Sequence, residues 1–169
     1  MLDVRQCITK EDYDWIINKM EHGLGIREVF KDNTDRLKSS SIAAIITCDE
    51  LPIGFIYVAH ELSDERIGFV DMGIVSDKRG YGYGEQAMDI FLDKTKNIDM
   101  FLIAETKENN GITKRSLSKY DCIYKKEDLN FYLLNRSLEE LRETGLYEQL
   151  IDHLNSKRLS SKDLIKSLY

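Results

Sequence analysis

Apolar residues recur at two periods along this chain. Residues 2–8 alternate loosely and predict a first strand. Thr9, Lys10, Glu11 and Asp12 follow with the spacing of a capping box. A helix is expected there, with Trp15, Ile16 and Met20 on its inner face and its end near Gly23 and Gly25. A second, mostly polar helix is read over 27–38, anchored by Val29, Phe30 and Leu37. Three strand-like runs come next, at 42–48, 53–60 and 67–75. The short polar turns Asp49-Glu50-Leu51-Pro52 and Ser63-Asp64-Glu65-Arg66 make them antiparallel neighbours.

The period changes after residue 75. A glycine loop over 80–84 leads into a helix over 85–96, with Ala87, Met88, Phe91 and Leu92 on one side, and then into a short strand at 100–104. Strand, loop, helix and strand in that order predict a right-handed parallel crossover. A short helix is expected over 110–120, then strands at 122–124 and 130–135 joined by Lys125-Lys126-Glu127-Asp128. The tail carries two capping-box spacings, Ser137 to Glu140 and Ser160 to Asp163, and so predicts two helical starts. Leu138 and Leu141 anchor the first, with an interruption at Gly145. Leu150, Ile151 and Leu154 continue an apolar face, and Leu164, Ile165 and Leu168 form another. The pattern yields an α+β fold: a mostly antiparallel sheet with one parallel pair, flanked by helices. The body is 1–136 and the helical extension is 137–169, packing on the body or on a partner.

Composition narrows the function classes. The 169 residues fit one domain with an appendage. The longest apolar run, Ile42 to Ile46, is far short of a membrane span, and the N-terminus lacks a signal-peptide layout. A cytoplasmic location with no membrane partner is the expectation. Cys7, Cys48 and Cys122 are odd in number, widely spaced and set in apolar stretches, so they read as buried free thiols and no metal site is expected. The net charge is -6, and the segment 130–169 is balanced, so the body carries the excess. An acidic body argues against a nucleic-acid surface and favours encounter with cations such as amines.

The loop Arg79-Gly80-Tyr81-Gly82-Tyr83-Gly84 carries the chemistry. Glycines at alternate positions, after a strand and before a helix, permit positive φ and close approach to a ligand. Successive N–H groups and the helix dipole then make an anion site suited to phosphates, with Lys78 and Arg79 adding positive potential. A Walker loop is excluded because Glu85 and Gln86 follow Gly84. A dinucleotide fingerprint is excluded by the glycine spacing and by the three antiparallel strands before it.

The region 1–136 resembles the GNAT superfamily of N-acetyltransferases, and within it the branch acting on protein N-termini, ribosomal proteins included. The loop signature Arg/Gln-x-x-Gly-x-Gly/Ala is met by Arg79, Gly82 and Gly84. The approach to the loop, usually Val-x-Pro-x-x-Arg-Gly, is Ile74-Val75-Ser76-Asp77-Lys78-Arg79-Gly80 here. The later helix signature, Asn-x-x-Ala/Ser-x-x-x-Tyr/Leu-x-Lys-x-Gly-Phe, is met at Asn110, Leu117 and Lys119, with Thr113 at the Ala/Ser position. The resemblance implies acetyl-CoA as co-substrate and direct attack by a small-molecule amine or a peptide N-terminus. By the same resemblance, Met72, Gly73 and Ile74 line the pantetheine arm, with the Met72 N–H on the thioester carbonyl. Amides of Arg79, Gly80, Tyr81, Gly82, Tyr83 and Gly84 hold the pyrophosphate, and Asn110 holds the later part of the arm. A homodimer is compatible with the tail.

The departures concern catalysis. Leu117 stands where the family often has an acidic Tyr, and Asp121 and Cys122 replace the usual Gly-Phe. Thr113 is then the candidate proton donor, with Tyr120 close in sequence but on another helical face. Asp71 and Glu65 flank the central strand as candidate proton acceptors, and His22, His60 and His153 read as isolated structural or surface residues. Two further readings stay open: a non-catalytic acyl-CoA-binding or regulatory module, and a subunit whose tail recruits a partner.

Overall fold

A computed structural model describes residues 1–22, 36–107, 115–126 and 128–167. The seven strands are β1 (Leu2–Gln6), β2 (Ile42–Cys48), β3 (Leu51–Ala59), β4 (Ile67–Ile74), β5 (Phe101–Lys107), β6 (Asp121–Lys126) and β7 (Leu129–Leu133). They form one sheet in the order β1-β2-β3-β4-β5-β7-β6. Every neighbouring pair is antiparallel except β4 and β5, which run parallel. The helices are α1 (Lys10–His22), α2 (Tyr83–Lys94), α3 (Leu138–Glu143) and α4 (Leu146–Ser167). The α+β expectation therefore holds, including the single parallel pair.

Local chemistry explains the element ends. The Thr9 Oγ1 accepts from the Asp12 N–H at 3.2 Å, and Asp12 Oδ2 accepts from the Thr9 and Ile8 N–H groups at 3.3 and 3.0 Å. Arg5 adds two bonds to the same carboxylate at 3.0 and 2.7 Å. The capping box is thus tied to strand β1. These bonds, the Arg5 pair first, hold the Asp12 carboxyl well below the usual carboxylate range.

Several boundaries differ from the sequence reading. The first hairpin turns on two residues: Asp49 and Glu50 both have positive φ, at 50° and 70°, as a type I′ turn requires. Leu51 and Pro52 accordingly belong to β3. The helix expected over 110–120 is helical at 115–117 and becomes a turn at 118–119. Gly145, with φ 76°, separates α3 from α4 as expected, but α4 then runs unbroken through Ser160, so the second capping-box spacing starts no new helix. The helix read over 27–38 is described only at its end, where 36–38 form a helical turn around the buried Leu37. Gly23, Gly25, Val29, Phe30 and Leu168 lie outside the described residues.

The sheet is covered on both faces. Ala87, Met88 and Phe91 of α2 pack with Val4, Ile46, Ile56, Val70, Leu102 and Ala104 in one cluster. On the other face, Leu141, Leu146, Leu150 and Leu154 join Ile67, Phe69, Phe101 and Ile103. Under α1, Ile16 and Leu37 pack with Ile45, Phe55 and Tyr57. The cysteines divide: Cys7 is buried and burial pushes its thiol up to about 11, Cys48 is half-buried, and Cys122 is exposed, which corrects the expectation of three buried thiols. Cys122 lies on β6, at the edge of the sheet, and among the described residues no strand pairs beyond it.

Asp12→Ala should lower stability at pH 7 by about 1–2 kcal/mol through the lost cap. Because the folded-state pKa lies below the unfolded value, that contribution is present above about pH 4 and is lost as pH falls further. Urea unfolding of parent and variant at pH 7 and pH 3 should show the difference shrinking at acid pH.

Candidate functional site

The parallel pair is short. Register runs Ile67–Phe101, Gly68–Leu102 and Phe69–Ile103, and stops there. Beyond it, β4 stays with β3 to Ile74, while β5 goes with β7 to Lys107. The two central strands part, leaving a fork at their carboxyl ends. Asn135 helps hold β5 to its own side, accepting from the Leu102 N–H at 2.9 Å and donating to the Met100 carbonyl at 2.8 Å.

Backbone direction along β4 follows from its two ends. The Val75 N–H donates to Ile53 across β3, and the Arg66 carbonyl accepts from Phe101 of β5. Peptide groups alternate along a strand, so those of Val70, Met72 and Ile74 turn toward the fork. The Ile74 carbonyl accepts from Arg79 Nε at 2.8 Å. Gly54 keeps β3 close at this point: a Cβ there would lie 2.4 Å from the Gly73 carbonyl oxygen.

The glycine loop stands at the mouth of the fork. A 3-10 turn, Ser76–Lys78, leads from β4 to Arg79, whose φ and ψ are extended. Gly80 and Gly82 have φ of 85° and 76°. A Cβ on Gly80 would meet nothing within 4 Å, and one on Gly82 only Gln86 Nε2 at 3.6 Å, so both glycines border open space. Gly84 differs: it lies within α2, where a Cβ would sit 3.3 Å from Met72 Cε. That close packing brings the start of α2 onto the fork strand. No side chain caps α2, so the first N–H groups, before the Gln86 to Gly82 bond, have no partner within the helix. Tyr81, largely exposed, stacks on Tyr83 with ring centroids 5.8 Å apart.

The structure thus brings Met72, Gly73, Ile74, Arg79, Gly80, Tyr81, Gly82, Tyr83 and Gly84 together. Asn110 and Thr113 lie outside the described residues. Tyr120 corrects the sequence reading. The helical turn ends at 117, and the Tyr120 N–H donates to the Leu117 carbonyl at 3.0 Å, folding Tyr120 back onto the cluster that also holds Leu117, Val70 and Ala104. Its hydroxyl is buried with no partner among the described residues. Lys119 pins this turn to α2 through Asp89 at 2.9 Å and Glu85 at 3.6 Å.

The two candidate acceptors separate. Glu65 precedes β4 and so stands at the end opposite the fork. Asp71 sits beside Met72 and pairs with Arg36, whose Nε donates at 3.1 Å. Arg36 also pairs with Glu61, and Glu61 Oε2 meets His153 Nε2 at 3.0 Å. His153 is therefore no isolated residue. His60 is structural, with ring nitrogens 2.9 Å from the Ile67 carbonyl and 2.7 Å from Ser41 Oγ. Arg36 and Glu61 left no signal in the sequence, since single charges in polar stretches are ordinary. The nearest hint was His153 on the apolar side of a helix.

No family model and no curated protein matches the sequence. Solved structures do match in fold. The ribosomal-protein-S18-alanine N-acetyltransferase from Escherichia coli aligns with TM-score 0.61 at 8% identity, over 81% of this chain and 96% of that one. A Campylobacter jejuni N-acetyltransferase in complex with acetyl coenzyme A aligns with TM-score 0.55 at 13% identity, over 81% and 100%. A ribosomal L7/L12 alpha-N-protein acetyltransferase in complex with coenzyme A aligns with TM-score 0.56 at 11% identity, over 78% and 92%. The fold is the GNAT fold. In this GNAT-fold chain the glycine loop follows the fork strand, and Gly84 near the start of α2 lies against Met72.

Gly54→Ala should destabilise the chain by about 1–3 kcal/mol, because its Cβ meets a backbone oxygen. Gly82→Ala should cost about 1 kcal/mol, from positive φ alone. Thermal unfolding of both variants checks the contrast.

Proposed function

We propose that this protein is an acyl-CoA-dependent N-acyltransferase that moves an acetyl group to a primary amine. The observation that carries the reading is the conjunction of a parted strand pair with an uncapped, glycine-bordered helix start at its mouth. An interior strand with one side unpaired offers N–H and C=O groups to an extended amide-bearing chain, much as a neighbouring strand would. A helix start with free N–H groups and glycines bordering open space suits phosphates. Acetyl-CoA carries both features, so the residues present fit it.

In this reading the peptide groups of Met72 and Ile74 hold the pantetheine arm. The first amides of α2 with those of Arg79 to Tyr83 hold the pyrophosphate, and Asn110 holds the later part of the arm. Bound there, acetyl-CoA supplies an acetyl group activated as a thioester. The Met72 N–H, turned to the fork, polarises the carbonyl as attack begins, since a fixed donor stabilises developing charge better than mobile water. The acetyl-CoA contacts just named use no residue of the tail.

The Tyr120 hydroxyl suits the departing sulfur. It is buried and unpartnered among the described residues, and Tyr120 packs against the cluster that includes Val70 and Ala104. Burial pushes its phenol above the ordinary value. A thiol loses its proton near 8.5 and a phenol near 10. Tyr120 therefore keeps its proton and acts as a hydrogen-bond donor to the thiolate. Thr113 is the alternative donor. The acceptor is a small amine or a peptide N-terminus, the latter favoured by the likeness to proteins named for ribosomal substrates.

Acetyl-CoA at a hundredfold above its dissociation constant should stabilise the fold by about 2.7 kcal/mol. Gly82→Val should abolish most of that gain. Differential scanning fluorimetry reads both, and no shift at millimolar acetyl-CoA rejects the reading.

Tyr120→Phe should lower kcat about 10- to 100-fold, the scale of one lost transition-state donor, with acetyl-CoA affinity unchanged. Thiol release from acetyl-CoA across a panel of amines and peptide N-termini measures it. A loss confined to Thr113→Val instead would move the donor role to Thr113.

A further inference from the structure

The sheet face away from α2 carries a polar seam between its two apolar clusters. Tyr57 and Asp71 are cross-strand partners on β3 and β4. Tyr57 is fully buried, and burial, with Asp71 beside it, pushes its phenol up. Arg36 spans the seam, meeting Asp71 Oδ2 at 3.1 Å with both Nε and a terminal nitrogen and pairing with Glu61 beyond. Burial works against the charge of Arg36, but Asp71 and Glu61 outweigh it and hold it protonated. Glu61 then meets His153 of α4, whose ring also lies 6.0 Å from that of Phe69. The chain of contacts thus runs from the C-terminal helix to the fork strand.

Exposure is greatest at the fork end: the Asp71 side chain is 39% exposed, that of Arg36 23%, that of Glu61 14% and that of His153 26%. Among the described residues, two carboxylates of the seam meet one guanidinium. The wettest member of the group, Asp71, adjoins Met72, whose peptide group faces the fork. A second observation concerns sidedness: α2 packs on the opposite face, so Asp71 stands on the side of the sheet away from it.

We propose that Asp71 receives the ammonium of the acceptor at the fork, and that Arg36, Glu61 and His153 are positioning residues that make the C-terminal helix part of the acceptor site. The proposal rests on the acyl-transfer reading above. Arg36 uses its planar fork to fix the carboxylate in one orientation, which a lysine cannot do. Glu61 fixes Arg36, and His153 fixes Glu61.

The probe is n-butylammonium chloride, titrated into the full chain and followed by the amide resonances of Met72 and Gly73, with potassium chloride as the salt control. The parent should saturate. Asp71→Asn should weaken affinity at least about tenfold, the scale of one charge-assisted contact, and Asp71→Glu should restore part of it. Arg36→Lys keeps the charge and the fold but should weaken affinity about threefold or more, and His153→Leu about threefold, the scale of coupling through a packed network. Acetyl-CoA affinity should stay within about twofold in all four, a split that general loosening of the fold does not produce. Equal butylammonium affinity in parent and Asp71→Asn overturns the proposal. So does a His153→Leu variant that binds the amine like the parent. If acetyl-CoA fails to bind while butylammonium still depends on Asp71, the acyl-transfer reading alone falls.

Discussion

Strand β4 cannot pair on both sides along its whole length, and much of this molecule is organised around that fact. It is shared between β3, which follows it to Ile74, and β5, which leaves it after Phe69 to follow β7. A backbone polar group left inside a fold without a partner costs free energy comparable to a lost hydrogen bond. Among the described residues, Arg79 takes the Ile74 carbonyl. The carboxyl ends of parallel strands, where neighbours diverge, are favoured ligand sites for this reason.

The two faces of the sheet then take different tasks. On one, α2 buries Ala87, Met88 and Phe91 and so delivers its uncapped start to the mouth of the fork, with Gly84 allowing close contact with Met72. What this start presents is backbone N–H groups that no side chain caps. On the other face, α3 and α4 bury four leucines against Ile67, Phe69, Phe101 and Ile103. These residues belong to the paired half of β4 and β5. The tail therefore clamps the strands where they are joined and carries His153 into the polar seam beside the place where they part. Among the described residues, no helix is long and apolar enough to cross a membrane.

The sequence by itself determined the elements whose cause is local. Period-two and period-3.6 runs placed most of the strands and α2, the Thr9 to Asp12 spacing placed the start of α1, and the alternate glycines placed a positive-φ loop between β4 and α2. It also carried enough of a family pattern to imply a cofactor. It went wrong where local signals were ambiguous. Ser160 and Asp163 have cap spacing, but a helix already running through them has no free N–H groups to cap. Tyr120 looked misplaced on an extended helix, and a turn at 118–119 returned it to the core.

Tertiary structure alone decided the rest, because those features depend on residues far apart in the chain. The fork is a relation among four strands, β4 held to β3 and β5 held to β7, which no window of sequence around β4 records. The seam joins Arg36, Glu61, Asp71 and His153 from four separate segments, each an ordinary surface charge when read alone. Local spacing encodes which backbone turns and which face is apolar. Which side chains meet across a sheet is set by strand order, and strand order is a property of the whole chain.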